Sequence, residues 1–262
     1  MSIEIRWLKN SSFSRKIHVF FFFFLKTGTH SLANIFKPYY RSEHEAEMKM
    51  LIENIDNYTN GLVDKEGFKK KIMKRDKKLR LEVDVSHALG YAIDSLIECF
   101  PEAKYILTVR EPYSWLDSII NQHLNYNNPK YDEFRLLRNI YHAKYSTSFS
   151  REEKILLSKG LFSLDGYLKY WRFHNLQVLE KIPSENLMVV DISSLSSDKS
   201  MNKIAEFIEI PSQSLSKKRR HSYKAIKKHE ILSHIPKKYL DYKVLSNCGD
   251  LMGLLNDRML NA

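Results

Sequence analysis

The chain has 262 residues, 43% hydrophobic and 12% aromatic, enough to bury a substantial core, and no linker rich in glycine, serine or proline divides it. A formal charge of +11 implies an anionic partner but does not choose among nucleic acid, a nucleotide-like cosubstrate, an acidic polysaccharide and a membrane surface. Only Cys99 and Cys248 are present, which excludes a disulfide framework and makes the cytoplasm the expected compartment, and no stretch reaches the ~20 apolar residues of a membrane helix.

In chain order, Arg6, Lys9, Arg15 and Lys16 precede an apolar run at residues 17–25, a pattern that mimics a secretory signal. Lys26 follows the run at once and no small-x-small cleavage site appears, so the run reads as a first strand buried on both faces. Lys26-Thr-Gly-Thr-His-Ser31 is then a tight loop, and Leu32 begins a helix. Residues 43–55 carry Ala46, Met50, Leu51 and Ile55 at helical spacing, and residues 64–80, dense in lysine, predict a solvated helix or lid.

Residues 81–85 predict a second strand, with Ser86 as the cap of a helix running to Ile97. Residues 105–109 predict a third strand ending at Arg110, and Pro112 opens a helix carrying Trp115, Leu116, Ile119 and Ile120. Residues 126–160 read as irregular and helical, Ser163 caps a long helix to Lys181, and Pro183 ends it. A fourth strand at 187–190, a helix at 201–210 and a basic, then helical, C-terminal region complete the chain. Strands alternating with helices predict one α/β domain over 1–262, the basic region 211–262 included, built as a three-layer sandwich around a mostly parallel central sheet.

Two segments carry chemistry. A loop with Gly28 between a strand and a helix lets backbone N–H groups converge on a phosphate-type anion, with hydroxyls from Thr27, Thr29 and Ser31 and a charge from Lys26. The loop is P-loop-like without being a Walker A motif, because His30 stands in the place of the Walker lysine and a phenylalanine in that of the first glycine. The second segment is Val109-Arg-Glu-Pro-Tyr-Ser-Trp-Leu-Asp-Ser118. An ATPase usually ends this strand in an acid that organises Mg²⁺, whereas Arg110 suits direct binding of an anion, and Ser118 lies two turns further on.

Together these segments resemble the sulfotransferases that use 3′-phosphoadenosine 5′-phosphosulfate (PAPS), whose Lys-x-Gly-Thr-x-Ser loop binds the 5′-phosphosulfate. In that family an arginine followed eight positions later by a serine holds the 3′-phosphate, the spacing of Arg110 and Ser118, and Arg-x-Pro is intact as Arg110-Glu-Pro112. The resemblance covers roughly residues 17–210, including the approach at 101–109 and the later segments at 167–171 and 186–191. It implies nucleotide binding by Lys26, Thr27, Gly28, Thr29, His30, Ser31, Leu32, Arg110 and Ser118, a metal-independent reaction, and adenosine 3′,5′-bisphosphate as product.

Transfer to a hydroxyl needs a base near the acceptor proton and positive charge near the bridging oxygen, the latter from Lys26. The family resemblance points to Glu45 in Tyr40-Arg-Ser-Glu-His-Glu-Ala46 as base. His44 is its rival as an imidazole, and acids at a helix start also serve the helix dipole without any catalysis. Asp84, Ser86 and His87 are candidates to line an acceptor pocket, in which His87 is a further candidate base; a cap with a packed histidine is the plainer reading. The basic runs 65–80 and 217–228 lack the family's Arg-Lys-Gly and read equally as solvated faces. A P-loop kinase lacks its lysine and its acid here, and a nucleic-acid binder lacks a recognition helix, zinc cluster or aromatic platform. The expected acceptor, by analogy alone, is a hydroxyl on a glycan or glycolipid.

Overall fold

A run of phenylalanines is apolar on both faces of a strand, so it needs helices above and below. The computed structural model describes residues 14–23, 29–126, 132–216 and 227–260. It contains five strands: β1 (Val19–Phe23), β2 (Ser42–His44), β3 (Val83–Val85), β4 (Lys104–Val109) and β5 (Leu187–Asp191). They form one sheet in the order β2-β3-β1-β4-β5, with every pairing parallel. The central strand β1 alternates as a two-residue pleat requires. Phe20 and Phe22 enter one core, while Val19, Phe21 and Phe23 enter the other.

Ten helices enclose the described sheet. They are α1 (Thr29–Phe36), α2 (Met48–Thr59), α3 (Lys65–Leu79), α4 (Ile93–Cys99), α5 (Pro112–Asn125), α6 (Asp132–His142), α7 (Lys154–Ser158), α8 (Leu164–Lys181), α9 (Asp198–Phe207) and α10 (Lys237–Leu260). Helices α1 and α9 cover one face; the others share the core on the opposite face. The long α8 starts as its sequence indicates, with Ser163 accepting a hydrogen bond from Gly166 N at 3.1 Å. Across it packs α10, through Val244, Cys248, Leu251 and Leu255 and through Lys243 and Asn247 on Asp165. No described helix is long and apolar enough to cross a membrane.

Three local expectations change. The helix expected over 43–55 starts at Met48, and Ser42–His44 is instead an edge strand beside β3. The helical period is better from Met48, which with Leu51, Ile52 and Ile55 forms the buried stripe, while Met50 is 38% exposed. Three mostly polar residues have no strand signature of their own, so the partner strand decides their conformation. Ser86 does not cap a helix: a 3-10 turn over His87–Tyr91 intervenes before α4, and the Ser86 hydroxyl bonds Asp84. Finally, α3 is an integral part of its layer, because Phe68 and Ile72 are buried and Phe68 stacks on Tyr58 at 4.5 Å.

Three histidines are buried in the larger core. His123 bonds the Tyr167 hydroxyl at 2.9 Å, His142 approaches Gly166 O at 3.3 Å, and His174 lies against Gly90, where an added Cβ would come within 2.8 Å of the ring. Loss of hydration holds His123 well below its ordinary pKa of 6.5, and lowers His142 and His174 to about 3. The unfolded chain therefore takes up protons below pH 6.5 that the folded chain does not, so stability is full above that pH and falls below it. Each histidine contributes a slope of up to about 1.4 kcal/mol per pH unit. Urea unfolding from pH 7.5 to 5.5 should show the decline, and His142→Gln should flatten it.

Candidate active site

In an open parallel sheet, ligands bind beyond the carboxyl ends of the strands. Three groups converge at that edge here. The first is the start of α1 at Thr29, reached from the end of β1 at Phe23. Lys26, Thr27 and Gly28, with the side chains of Thr29, His30 and Ser31, lie outside the described residues, as do residues 217–226 of the basic run 217–228. Leu32 is described, and its side chain belongs to the core beneath the helix. The helix begins three residues before the expected position, which brings Thr29, His30 and Ser31 into its first turn. The N-terminal end of its dipole, and the amides of that turn, thus lie at the carboxyl edge of the sheet.

The second group follows β4. Arg110 is held by its backbone and its side chain: the buried indole of Trp171 donates to its carbonyl at 3.1 Å, and its Nε donates to Ser114 Oγ at 3.1 Å. Burial pushes the guanidinium pKa down, opposed by the carboxylates of Asp117 and Glu111. A half-buried cation short of hydration gains from an anion that replaces the lost water. Glu111 itself caps α5, accepting from Tyr113 N at 2.8 Å and Ser114 N at 2.9 Å. Ser118 lies one turn beyond Ser114, so Arg110, Ser114 and Ser118 run along one side of the helix start. The role of Ser114 was missed in the sequence, where only the eight-residue spacing was visible.

That side of α5 continues to Asn121 and Asn125. Asn121 Oδ1 accepts from His229 N at 2.6 Å, and Asn125 Nδ2 donates to Lys227 O at 3.0 Å. Lys227, near the end of the basic run, and His229, just after it, are therefore bonded to the helix that carries Ser118. Just before the run, Ser216 N donates to Ile35 O on α1 at 3.0 Å.

The third group follows β2 and β3. Glu45 N extends the β2–β3 ladder by donating to Val85 O at 3.0 Å, and the chain then turns through left-handed backbone at Glu45 (φ 57) and Glu47 (φ 49). Such a conformation costs a residue with a side chain roughly 1–2 kcal/mol, so it persists only where its surroundings impose it. The turn sends the Glu45 carboxylate toward His87. Glu45 Oε1 lies 2.7 Å from His87 Nδ1, 3.4 Å from His87 N and 3.6 Å from His44 Nε2. The side chains of Glu45, His44 and His87 are 13%, 16% and 1% exposed. Glu45 Oε2 is buried without a hydrogen-bond partner among the described residues. Phe23 flanks both imidazoles, stacked on His44 at 6.5 Å and tilted to His87 at 6.3 Å.

The two rival bases and the third candidate are thus one cluster beside the end of β1. Its pairing of Glu45 with His87 has no sequence signal, since 42 residues separate them. Asp84 and Ser86 behave otherwise. Both are buried and bonded to Arg75 of α3, so neither lines an open pocket. Among the described residues no group of histidine, cysteine, aspartate and glutamate is arranged to hold a metal ion.

The family described as the sulfotransferase domain matches residues 18–214, well over half of the chain. A sulfotransferase from Alicyclobacillus acidocaldarius has a similar fold, with a TM-score of 0.54 and 13% identity over 93% of this chain and 97% of that one. The sulfotransferase domain from the curacin biosynthetic pathway aligns more loosely, with a TM-score of 0.41 and 10% identity over 85% of this chain and 84% of that one. No curated protein matches the sequence significantly.

The cluster can be probed through its shortest bond. His87→Ala removes the 2.7 Å partner of Glu45 Oε1 from a largely enclosed site, and should destabilise the fold by about 1–3 kcal/mol in urea unfolding. His87→Asn keeps an amide donor near the Nδ1 position and should recover most of that loss.

Proposed function

This chain belongs to the sulfotransferase family, and from that premise we propose that it transfers a sulfuryl group from PAPS to a hydroxyl acceptor. The observation that carries the reading is the meeting, at one edge of the sheet, of an anion-binding helix start, a half-buried arginine and an enclosed carboxylate paired with histidine. The nucleotide fits the described groups. Arg110 presents a positive charge held by Ser114, with Ser118 as a hydroxyl donor alongside, which suits the extra phosphate that distinguishes a 3′,5′-bisphosphate from AMP. The first turn of α1 supplies amide donors and a favourable dipole for the 5′ end.

When bound, PAPS supplies the sulfuryl group together with a phosphate as leaving group. The chain's own residues do the rest. An alcohol is a poor nucleophile while it keeps its proton, so Glu45 accepts that proton as the acceptor oxygen bonds to sulfur and the bond from sulfur to the phosphate oxygen breaks. Glu45 Oε2 is the oxygen left for this task, because His87 engages Oε1. His87 keeps the carboxylate oriented, and His44, at 3.6 Å, stands as the alternative base. Lys26, by its place in the loop motif, offsets the negative charge that develops on the leaving oxygen. An enclosed carboxylate base suits an aliphatic hydroxyl of weak acidity, as on a glycan or glycolipid. Both described cysteines are free, in keeping with action in the cytoplasm.

Thermal-shift titration tests the nucleotide. Adenosine 3′,5′-bisphosphate should stabilise the protein far more than AMP, and Arg110→Ala should weaken its binding by about 1.5–3 kcal/mol. Stabilisation by Mg·ATP alone would instead favour a kinase. Turnover with PAPS, screened over glycans, lipids and phenols, tests the base: Glu45→Gln should lower kcat by about 10²–10⁴ with little change in nucleotide affinity. Lys26→Ala should damage both. A dead His44→Ala beside a fully active Glu45→Gln would transfer the role to the imidazole.

A further inference from the structure

Helix α3 displays seven lysines, but its apolar stripe of Phe68, Ile72 and Leu79 includes Arg75, at four, seven and eleven residues from Phe68. Arg75 is only 4% exposed, on a position where a leucine would serve packing alone. Its guanidinium donates to both oxygens of Asp84, at 2.5 and 3.4 Å, and to Ser86 Oγ at 3.3 Å. It also donates to Ala46 O at 2.8 Å, and Ser86 in turn donates to Asp84 Oδ1 at 2.7 Å. A buried ion pair adds little net stability over well-packed apolar side chains of similar volume, so packing alone is a weak reason for it.

The partners of Arg75 give a better reason. Ala46 is the residue after Glu45 and lies between the two left-handed residues of that turn. Ser86 is the residue before His87. One planar group therefore grips the chain next to both members of the Glu45–His87 pair, which are brought together from two different strands. We propose that Arg75 is a positioning residue for the transfer reaction: by clamping Ala46 O and Ser86 against Asp84, it holds the Glu45 carboxylate at the angle needed to take the acceptor's proton. It touches neither nucleotide nor acceptor. The inference rests on the reading of Glu45 as base.

The test uses full-length protein and PAPS turnover, with kcat and the KM for PAPS measured separately. Arg75→Met combined with Asp84→Leu removes the clamp without stranding a buried charge. Arg75→Lys serves as a second variant, since it keeps the charge but has no planar fork to span Ala46, Asp84 and Ser86 together. For either variant in folded form, kcat should fall about 10–100-fold, with the KM for PAPS changed less than about twofold, because a misaimed base slows chemistry and leaves the nucleotide site intact. Each change is then added to Glu45→Gln. If Arg75 acts through Glu45, the combined protein loses no more than Glu45→Gln alone. Folded variants with wild-type kcat, or losses that multiply with that of Glu45→Gln, overturn the proposal while Glu45 stands as base. Wild-type turnover in Glu45→Gln alone overturns the base reading itself, and is read without any Arg75 variant.

Discussion

Burial of β1 on both faces is the constraint on which the rest of the structure depends. Its five described residues are all buried, and they are divided between two cores by the two-residue pleat. Because β1 is paired on both sides, from Val19 against Val83 and against Lys104, its register sets where β3 and β4 end relative to it. The three groups of the candidate site all lie at those ends: the start of α1 after β1, Arg110 after β4, and Glu45 with His87 after the β2–β3 pair. Phe23 then links packing to chemistry, since the last described residue of the strand is also the aromatic wall beside His44 and His87. A one-residue slip of β1 would exchange its two faces and displace that wall.

Charge is used in three different ways on one basic chain. The lysines of α3 face outward and pair with exposed acids such as Glu66 and Glu98, contacts worth little to stability in water. Arg110 is half-buried, with hydroxyls beside it and the indole of Trp171 fixing its carbonyl, an arrangement that favours an arriving anion. Arg75 is buried, and its two terminal nitrogens are engaged by Asp84, Ser86 and Ala46 O. Acids divide similarly: Glu111 is used as a helix cap, whereas Glu45 avoids a helix start altogether and is aimed by strained backbone. Net charge could distinguish none of these uses, because burial and neighbours decide what a charge does.

The half of the candidate site proposed to bind an anion could be read from the sequence because it is local. A strand, a Gly-containing hydroxyl-rich loop and a helix are contiguous in the chain, and Arg110 and Ser118 are eight residues apart, just before α5 and within it. The apolar runs of β1 and β4, the cap at Ser163 and the parallel α/β architecture follow from residue patterns for the same reason. The edge strand β2 was not legible, since Ser42, Glu43 and His44 carry no apolar alternation and become a strand only by pairing with β3. Reading that stretch as a helix start gave the wrong account of how the Glu45 side chain is directed.

The sequence by itself determined the class of fold, the family, and the order in which cation, hydroxyls and carboxylate appear along the chain. Each of these is built from short local patterns taken in chain order, where backbone geometry limits the outcomes. Only the tertiary structure decided that Glu45 meets His87 across 42 residues and that Ser86 serves Arg75 instead of capping a helix. It alone decided that one arginine on a lysine-rich helix turns inward to reach Ala46 and Ser86. Those contacts join elements whose separation in the chain carries no information about distance. They exist because the pairing of β2 with β3 and the docking of α3 against them bring the groups within hydrogen-bond reach.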